Sequence, residues 1–164
     1  MKSAILLFGV LAGATQLAGQ SASQPKSCLT SPVVIDSARR EPNADPAGQA
    51  STWYINADRT IWAGPVPEGG WPSGGILFSG DGVVKGQKTY WVRPQGKQLT
   101  ITGRRIDANG PPVEAHIPCC YPTDRQSVAL YFPSQGCWEV SAKAGDSELR
   151  FVTEVNQSIV DSRQ

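Results

Sequence analysis

The chain has 164 residues, 40% of them hydrophobic and 18% charged, with 17 Gly, 13 Pro and a single Met. This composition supports one packed domain or at most two small ones, is too apolar for a disordered chain, and favours short strands joined by tight turns over long helices. The formal charge is +1 with acids and bases dispersed, so no basic face of the kind that neutralises several phosphates is present and nucleic acid is not an expected partner.

Met1-Lys2 followed by the apolar run from Ala4 to Leu11 (AILLFGVL) has the form of an export signal. A spanning helix needs about 20 apolar residues, and this run reaches Gln16 too early. The expectation is a signal peptide over residues 1–23, cut between 14 and 23 where Ala12-Gly13-Ala14 and Ser21-Ala22-Ser23 both place small residues. Its removal takes away Lys2 and no acid, which leaves the charges balanced. Cys28 lies in QPKSC, without the small apolar residues of a lipidation site. The expected product is therefore secreted or periplasmic, with no transmembrane segment after cleavage. Export makes the four cysteines disulfide candidates, and three complete pairings are open.

Residues 24–50 are rich in Ser, Pro, Ala and Asn, broken only by Pro32-Val33-Val34-Ile35, and read as an extended arm tied down at Cys28. From Trp53 onward apolar runs recur about every ten positions with turn residues between them, the signature of an antiparallel sandwich over residues 51–156, followed by a tail at 157–164. Leu99, Ile101 and Gly103 alternate with Thr100 and Thr102; Val113, Ala115 and Ile117 alternate with Glu114 and His116. Val128, Leu130 and Phe132 form another inward row, and Pro133-Ser134-Gln135-Gly136 turns the chain. Trp138, Val140 and Ala142 then face in and Cys137, Glu139 and Ser141 out, before Ala144-Gly145-Asp146 closes a hairpin onto Leu149, Phe151 and Val155. The Asn109-Gly110 pair predicts a turn with positive φ. No helix and about nine strands are expected.

The pattern L-x-F-P-x-x-G-x-W-x-V from Leu130 to Val140 resembles the last two core strands of immunoglobulin-like sandwiches, with Trp138 where a Tyr is more usual and Trp91 as a central-strand core aromatic. LTITGRRID (99–107), PPVEAHIP (111–118), LYFPSQGCWEV (130–140) and LRFVTEV (149–155) resemble, more particularly, a family of small exported bacterial proteins of uncharacterised role. NADRTIWAG (56–64), Trp91-Val92-Arg93 and the early Cys28 extend the likeness over most of the chain. The resemblance brings no activity, cofactor or catalytic residue. It does imply a bridge between Cys28 and Cys137, since an early Cys and the Cys of GCWEV recur in that family. Cys119-Cys120 departs from the pattern, which has a Gly-containing turn there.

Chemistry-bearing residues are few. His116, Cys119 and Cys120 in H-I-P-C-C, with Cys137 as a fourth ligand, offer the soft donors that zinc or copper(I) prefers. Pro118 stiffens that segment, and the simpler reading is a solvent-facing His116 beside oxidised or spare thiols. His116 is the one histidine, neither G-x-S-x-G nor H-E-x-x-H occurs, and the acids from Glu114 to Glu154 fall on outward faces or in turns. Arg104 and Arg105 take opposite faces of their strand, and one of them is expected to reach Asp107 or an outward Glu as a structural pair, with clamping a ligand as the alternative.

Trp53, Tyr54, Trp62 and Trp71 flank Gly- and Pro-rich stretches, so exposed rings are expected there, as a sugar-stacking platform or as lids over the sandwich end. The run from Gly64 to Gly75 matches no phosphate loop and reads as a mobile one. The sequence thus predicts an immunoglobulin-like β-sandwich with an N-terminal arm that needs no cofactor and binds a protein or a glycan at its surface, through Trp53, Trp62, Trp71 and Arg104. A metal or redox protein using His116, Cys119 and Cys120 is the alternative from a second class. A small enzyme without a recognisable motif is the third.

Overall fold

The computed structural model describes residues 28–36, 51–79, 82–119 and 121–157. The expected signal peptide (1–23), residues 24–27 and 37–50 of the arm, and the tail beyond 157 lie outside the described residues. Among the described residues there is no helix and there are twelve strands, in the order β1 (Val34–Asp36), β2 (Ser51–Ile55), β3 (Trp62–Gly64), β4 (Trp71–Pro72), β5 (Ile76–Ser79), β6 (Gly82–Lys85), β7 (Gln87–Val92), β8 (Leu99–Arg105), β9 (Glu114–His116), β10 (Arg125–Tyr131), β11 (Gly136–Ala144) and β12 (Ser147–Asn156). Six form one sheet in the order β1-β2-β3-β7-β10-β9, four form a second in the order β4-β12-β11-β8, and β5 with β6 makes a separate hairpin.

The two larger sheets pack face to face, as the alternation requires. Trp91, Val128 and Leu130 come from the six-stranded sheet, and Leu99, Ile101, Trp138, Val140 and Phe151 from the four-stranded one, all buried in one cluster. The hairpin of β11 and β12 pairs Ala144 with Ser147 across a two-residue turn, and Gly145 at φ 61 takes the first of those two places. Trp138 is fully buried, and its Nε1–H donates to the Ser134 carbonyl at 3.0 Å in the turn that precedes β11. The Asn109-Gly110 expectation fails: Gly110 does not take positive φ. The six residues between Ile106 and Val113 make a loop wide enough not to need it.

The arm is held where the resemblance implied. Cys28 and Cys137 form a disulfide with Cα atoms 5.5 Å apart, on the face of β11 opposite Trp138. Beside it, Ser31 N–H donates to the Val152 carbonyl at 2.8 Å and Val152 N–H to Ser31 Oγ at 2.9 Å. The chain then crosses to the other sheet, where β1 pairs antiparallel with β2.

The segment from Gly64 to Gly75 is no mobile loop. Its strand β4 runs parallel to the end of β12, with Trp71 opposite Val155, and the Gly70 backbone passes close to the Glu154 carbonyl, so a side chain at 70 would collide with it. The cause is Trp71, whose ring is 1% exposed. Burying about 200 Å² at about 25 cal/mol per Å² contributes on the order of 5 kcal/mol, enough to order the loop that carries it.

Candidate functional site

The three tryptophans expected to form an exposed platform are buried. Trp71 enters the main core, with its ring centroid 5.9 Å from those of Phe132 and Tyr54 and 5.7 Å from that of Phe151, and its Nε1–H donates to the Pro65 carbonyl at 3.2 Å. Trp53 and Trp62 pack edge to face at 6.3 Å on the opposite face of the six-stranded sheet, in a small cluster with Val92. The register decides this. Tyr54 pairs with Ala63 and Ala63 with Trp91, which turns that row into the core, while Ile55, Trp62 and Val92 form the row on the other face. Arg59 closes over the Trp62 ring at 4.8 Å, and Trp62 Nε1–H donates to the Arg59 carbonyl. Rings so covered cannot stack on a sugar, and the binding role expected of Trp53, Trp62 and Trp71 is corrected accordingly.

Arg104 is exposed, and its guanidinium pairs with Glu139 across the β8–β11 ladder, with Nη2 to Oε1 at 3.0 Å. Arg105, on the other face, holds Asp107 through Nε to Oδ1 at 2.7 Å. That bond keeps the Asp107 carboxyl below its usual range and raises the Arg105 guanidinium.

The soft-ligand set does not assemble either. His116 is exposed on β9 with its neighbours Ala115 and Ile117 turned the other way; Cys137 is bonded to Cys28, and Cys119 is itself disulfide-bonded. A disulfide sulfur is no thiolate ligand. Among the described residues no group of three His, Cys, Asp or Glu stands close enough to hold a metal ion. Cys120 lies outside the described residues.

The structure forms a further site where the two sheets end. Strands β8 and β9 are edges of the two sheets, and between them opens a cleft of about 630 Å³. Its apolar wall comes from Leu99 and Ile101 on one side and Ala115 and Ile117 on the other. The seam is stitched at one end, where Val113 N–H donates to the Gly103 carbonyl at 3.0 Å. The opposite end is bounded by the β7–β8 connection with Lys97, and by Pro118, Cys119 and Tyr121. Arg93 and Gln126 close its depth.

Arg93 is 5% exposed and Gln126 4%. Both extend core-facing rows: Thr89, Trp91 and Arg93 alternate on the β7 side, and Gln126, Val128 and Leu130 on β10, with Gln126 registered opposite Trp91. The Arg93 guanidinium donates from Nε to Gln126 Oε1 at 2.8 Å, from Nη1 to its neighbour's carbonyl at Pro94 at 3.2 Å, and from Nη2 to the Tyr121 carbonyl at 3.1 Å. Gln126 Nε2 in turn donates to the Pro118 carbonyl at 2.7 Å, which ties the lip of the cleft to its floor. Every one of these acceptors is neutral. Among the described residues no carboxylate forms an ion pair with Arg93, and the residues lining the cleft include two cations, Arg93 and Lys97, and no acid. A guanidinium carries five N–H donors and always its charge, so burial against neutral partners leaves the charge uncompensated.

The sequence held a signal for this site in the two polar residues that continue apolar rows with period two, Arg93 after Trp91 and Gln126 before Val128. Polar side chains on core-facing positions of neighbouring strands mark a place where the core gives way to a built polar pocket. No family model, curated protein or solved structure matches this chain.

Proposed function

We propose that the chain is an exported immunoglobulin-like binding module, of the uncharacterised bacterial family that its GCWEV region resembles, and that it binds an anionic segment of another protein in the cleft between β8 and β9. One observation carries the reading: Arg93 is buried at the cleft with neutral partners, beside Lys97 and with no acid in the lining. An incoming carboxylate would supply the missing charge and use guanidinium N–H groups that the protein leaves unengaged, and charge-assisted bonds of this kind are about twice as strong as neutral ones. Protein is favoured over glycan because the indole rings that would stack on pyranose faces are buried, whereas the cleft walls are aliphatic. Export is supported by the Cys28–Cys137 disulfide, which an oxidising compartment maintains, and by the apolar N-terminal run.

The test is a titration of isotope-labelled protein, purified from the periplasm of an expression host, with end-capped heptapeptides that alternate Thr with Val and carry one central Glu, Gln or Lys. The Glu peptide is expected to shift the Arg93 Nε–H resonance and the amides of residues 96–101, with an affinity that falls as salt rises. Equal binding of the Lys peptide, or no shift at Arg93 with the Glu peptide at millimolar concentration, would refute the proposal.

A further inference from the structure

Which backbone groups of β8 face the cleft follows from two hydrogen bonds. Gly103 accepts from Val113 N–H on the outer side, while Ile106 N–H donates inward to the Cys137 carbonyl of β11 at 2.8 Å. In an antiparallel ladder the N–H and C=O of one residue point the same way and successive residues alternate. Residues 100, 102, 104 and 106 therefore serve β11, and Leu99 and Ile101 turn both of their backbone groups outward, beside Gly103, into the cleft that they line. Among the described residues no strand pairs with β8 on that side, and Val113 supplies its one backbone bond there. Natural edges are blunted by proline, lysine or a bulge, yet Leu99-Thr100-Ile101-Thr102 has neither proline nor charge and keeps unbroken register with β11.

We infer that the cleft receives an extended peptide as an added strand on the free edge of β8, with an acidic side chain of that peptide facing inward onto Arg93. This rests on the anion-binding reading of the cleft. Strand addition draws affinity from main-chain bonds and specificity from pockets for alternate side chains. Here the four outward groups of Leu99 and Ile101 supply the bonds. Inward side chains of the added strand project between the two sheets, where Ala115 and Ile117 take an apolar residue and Arg93 with Lys97 takes a carboxylate. Side chains on the other face emerge beside exposed Thr100 and are polar. The partner is thus a protein segment with alternating polar and inward residues, the inward ones apolar except for one Asp or Glu.

The experiment places all perturbations on the ligand, so folding of the protein is untouched. An end-capped, dye-labelled heptapeptide, Thr-Val-Thr-Glu-Thr-Val-Thr, is titrated by fluorescence anisotropy, and amide exchange of the complex is followed residue by residue. Replacing Glu by Gln should weaken binding about tenfold or more, the worth of a hydrogen bond to a charged group. N-methylation of alternate peptide residues should separate two sets: one weakens binding about tenfold and the other leaves it unchanged, as only a hydrogen-bonded strand demands. Binding should slow exchange at Leu99 and Ile101 and leave Thr100 and Thr102 as they were. If Gln weakens binding while both N-methyl sets bind alike and Leu99 and Ile101 exchange freely, the anion site stands and strand addition falls. If Glu and Gln peptides bind equally, or neither binds at millimolar concentration, both readings fall together.

Discussion

Trp71→Ala is the sharpest test of how the Gly- and Pro-rich segment is ordered. Truncating a fully buried Trp typically costs about 3 to 5 kcal/mol. The structure places this site at the upper end, because the ring meets Phe132, Tyr54 and Phe151 within 6 Å centroid distances and donates to the Pro65 carbonyl, and β4 has two paired residues to hold it otherwise. A loss of about 4 to 5 kcal/mol corresponds to a fall in Tm of roughly 10 to 20 °C for a chain of this size. Urea unfolding followed by intrinsic fluorescence and by far-ultraviolet circular dichroism measures it, with Trp138→Ala as the reference for an accepted core ring. A Trp71→Ala protein within about 1 kcal/mol of wild type, the range for an exposed loop residue, would refute the argument that this side chain orders residues 64–75.

Three further outcomes follow from the same packing. Replacing Cys28 and Cys137 by Ser opens a loop with a sequence separation of 109, so stability should fall by up to about 4 to 5 kcal/mol on the chain-entropy estimate; urea midpoints of both single variants and the double variant should coincide, since each loses the same bond. Asp107 has a folded pKa below its unfolded one through its bond to Arg105, so its contribution is present above the usual carboxylate range and is lost as pH falls. The stability difference between wild type and Asp107→Asn should accordingly be constant near neutrality, about 1 kcal/mol at most for so accessible a pair, and shrink in acid, as urea titrations at stepped pH would show. Burial raises the Tyr54 phenol above its ordinary value, opposed in part by its bond to Thr153; stability from Tyr54 is whole below about pH 10 and lost as pH climbs through the raised value, so Tyr54→Phe should lessen the alkaline loss of stability, which urea titrations at stepped pH report.

Much of the fold was legible without coordinates, because a strand's two faces are written into its residues. The rows Leu99–Ile101, Val128–Leu130–Phe132, Trp138–Val140–Ala142 and Leu149–Phe151–Val155 keep the period of two and lie in the core, since a one-residue slip would turn each row to the other face. The pairing of Cys28 with Cys137 comes from resemblance, and the structure forms that bridge with Cys137 on the face of β11 opposite Trp138 and the arm beside β12. Period, however, says nothing about whether a ring among glycines and prolines is covered. Trp53, Trp62 and Trp71 stand in local sequences that look like loops, and only strand neighbours remote in the chain, Val92 across from Trp62 and Val155 across from Trp71, decide their burial. The cleft is of the same kind. Arg93 and Gln126 lie 33 residues apart in the hydrogen bond that joins them, and β8 and β9 border a common gap because their sheets end there. Local alternation is set by geometry within one strand, whereas a site made by two sheet edges exists only once long-range pairing has chosen which strands are last.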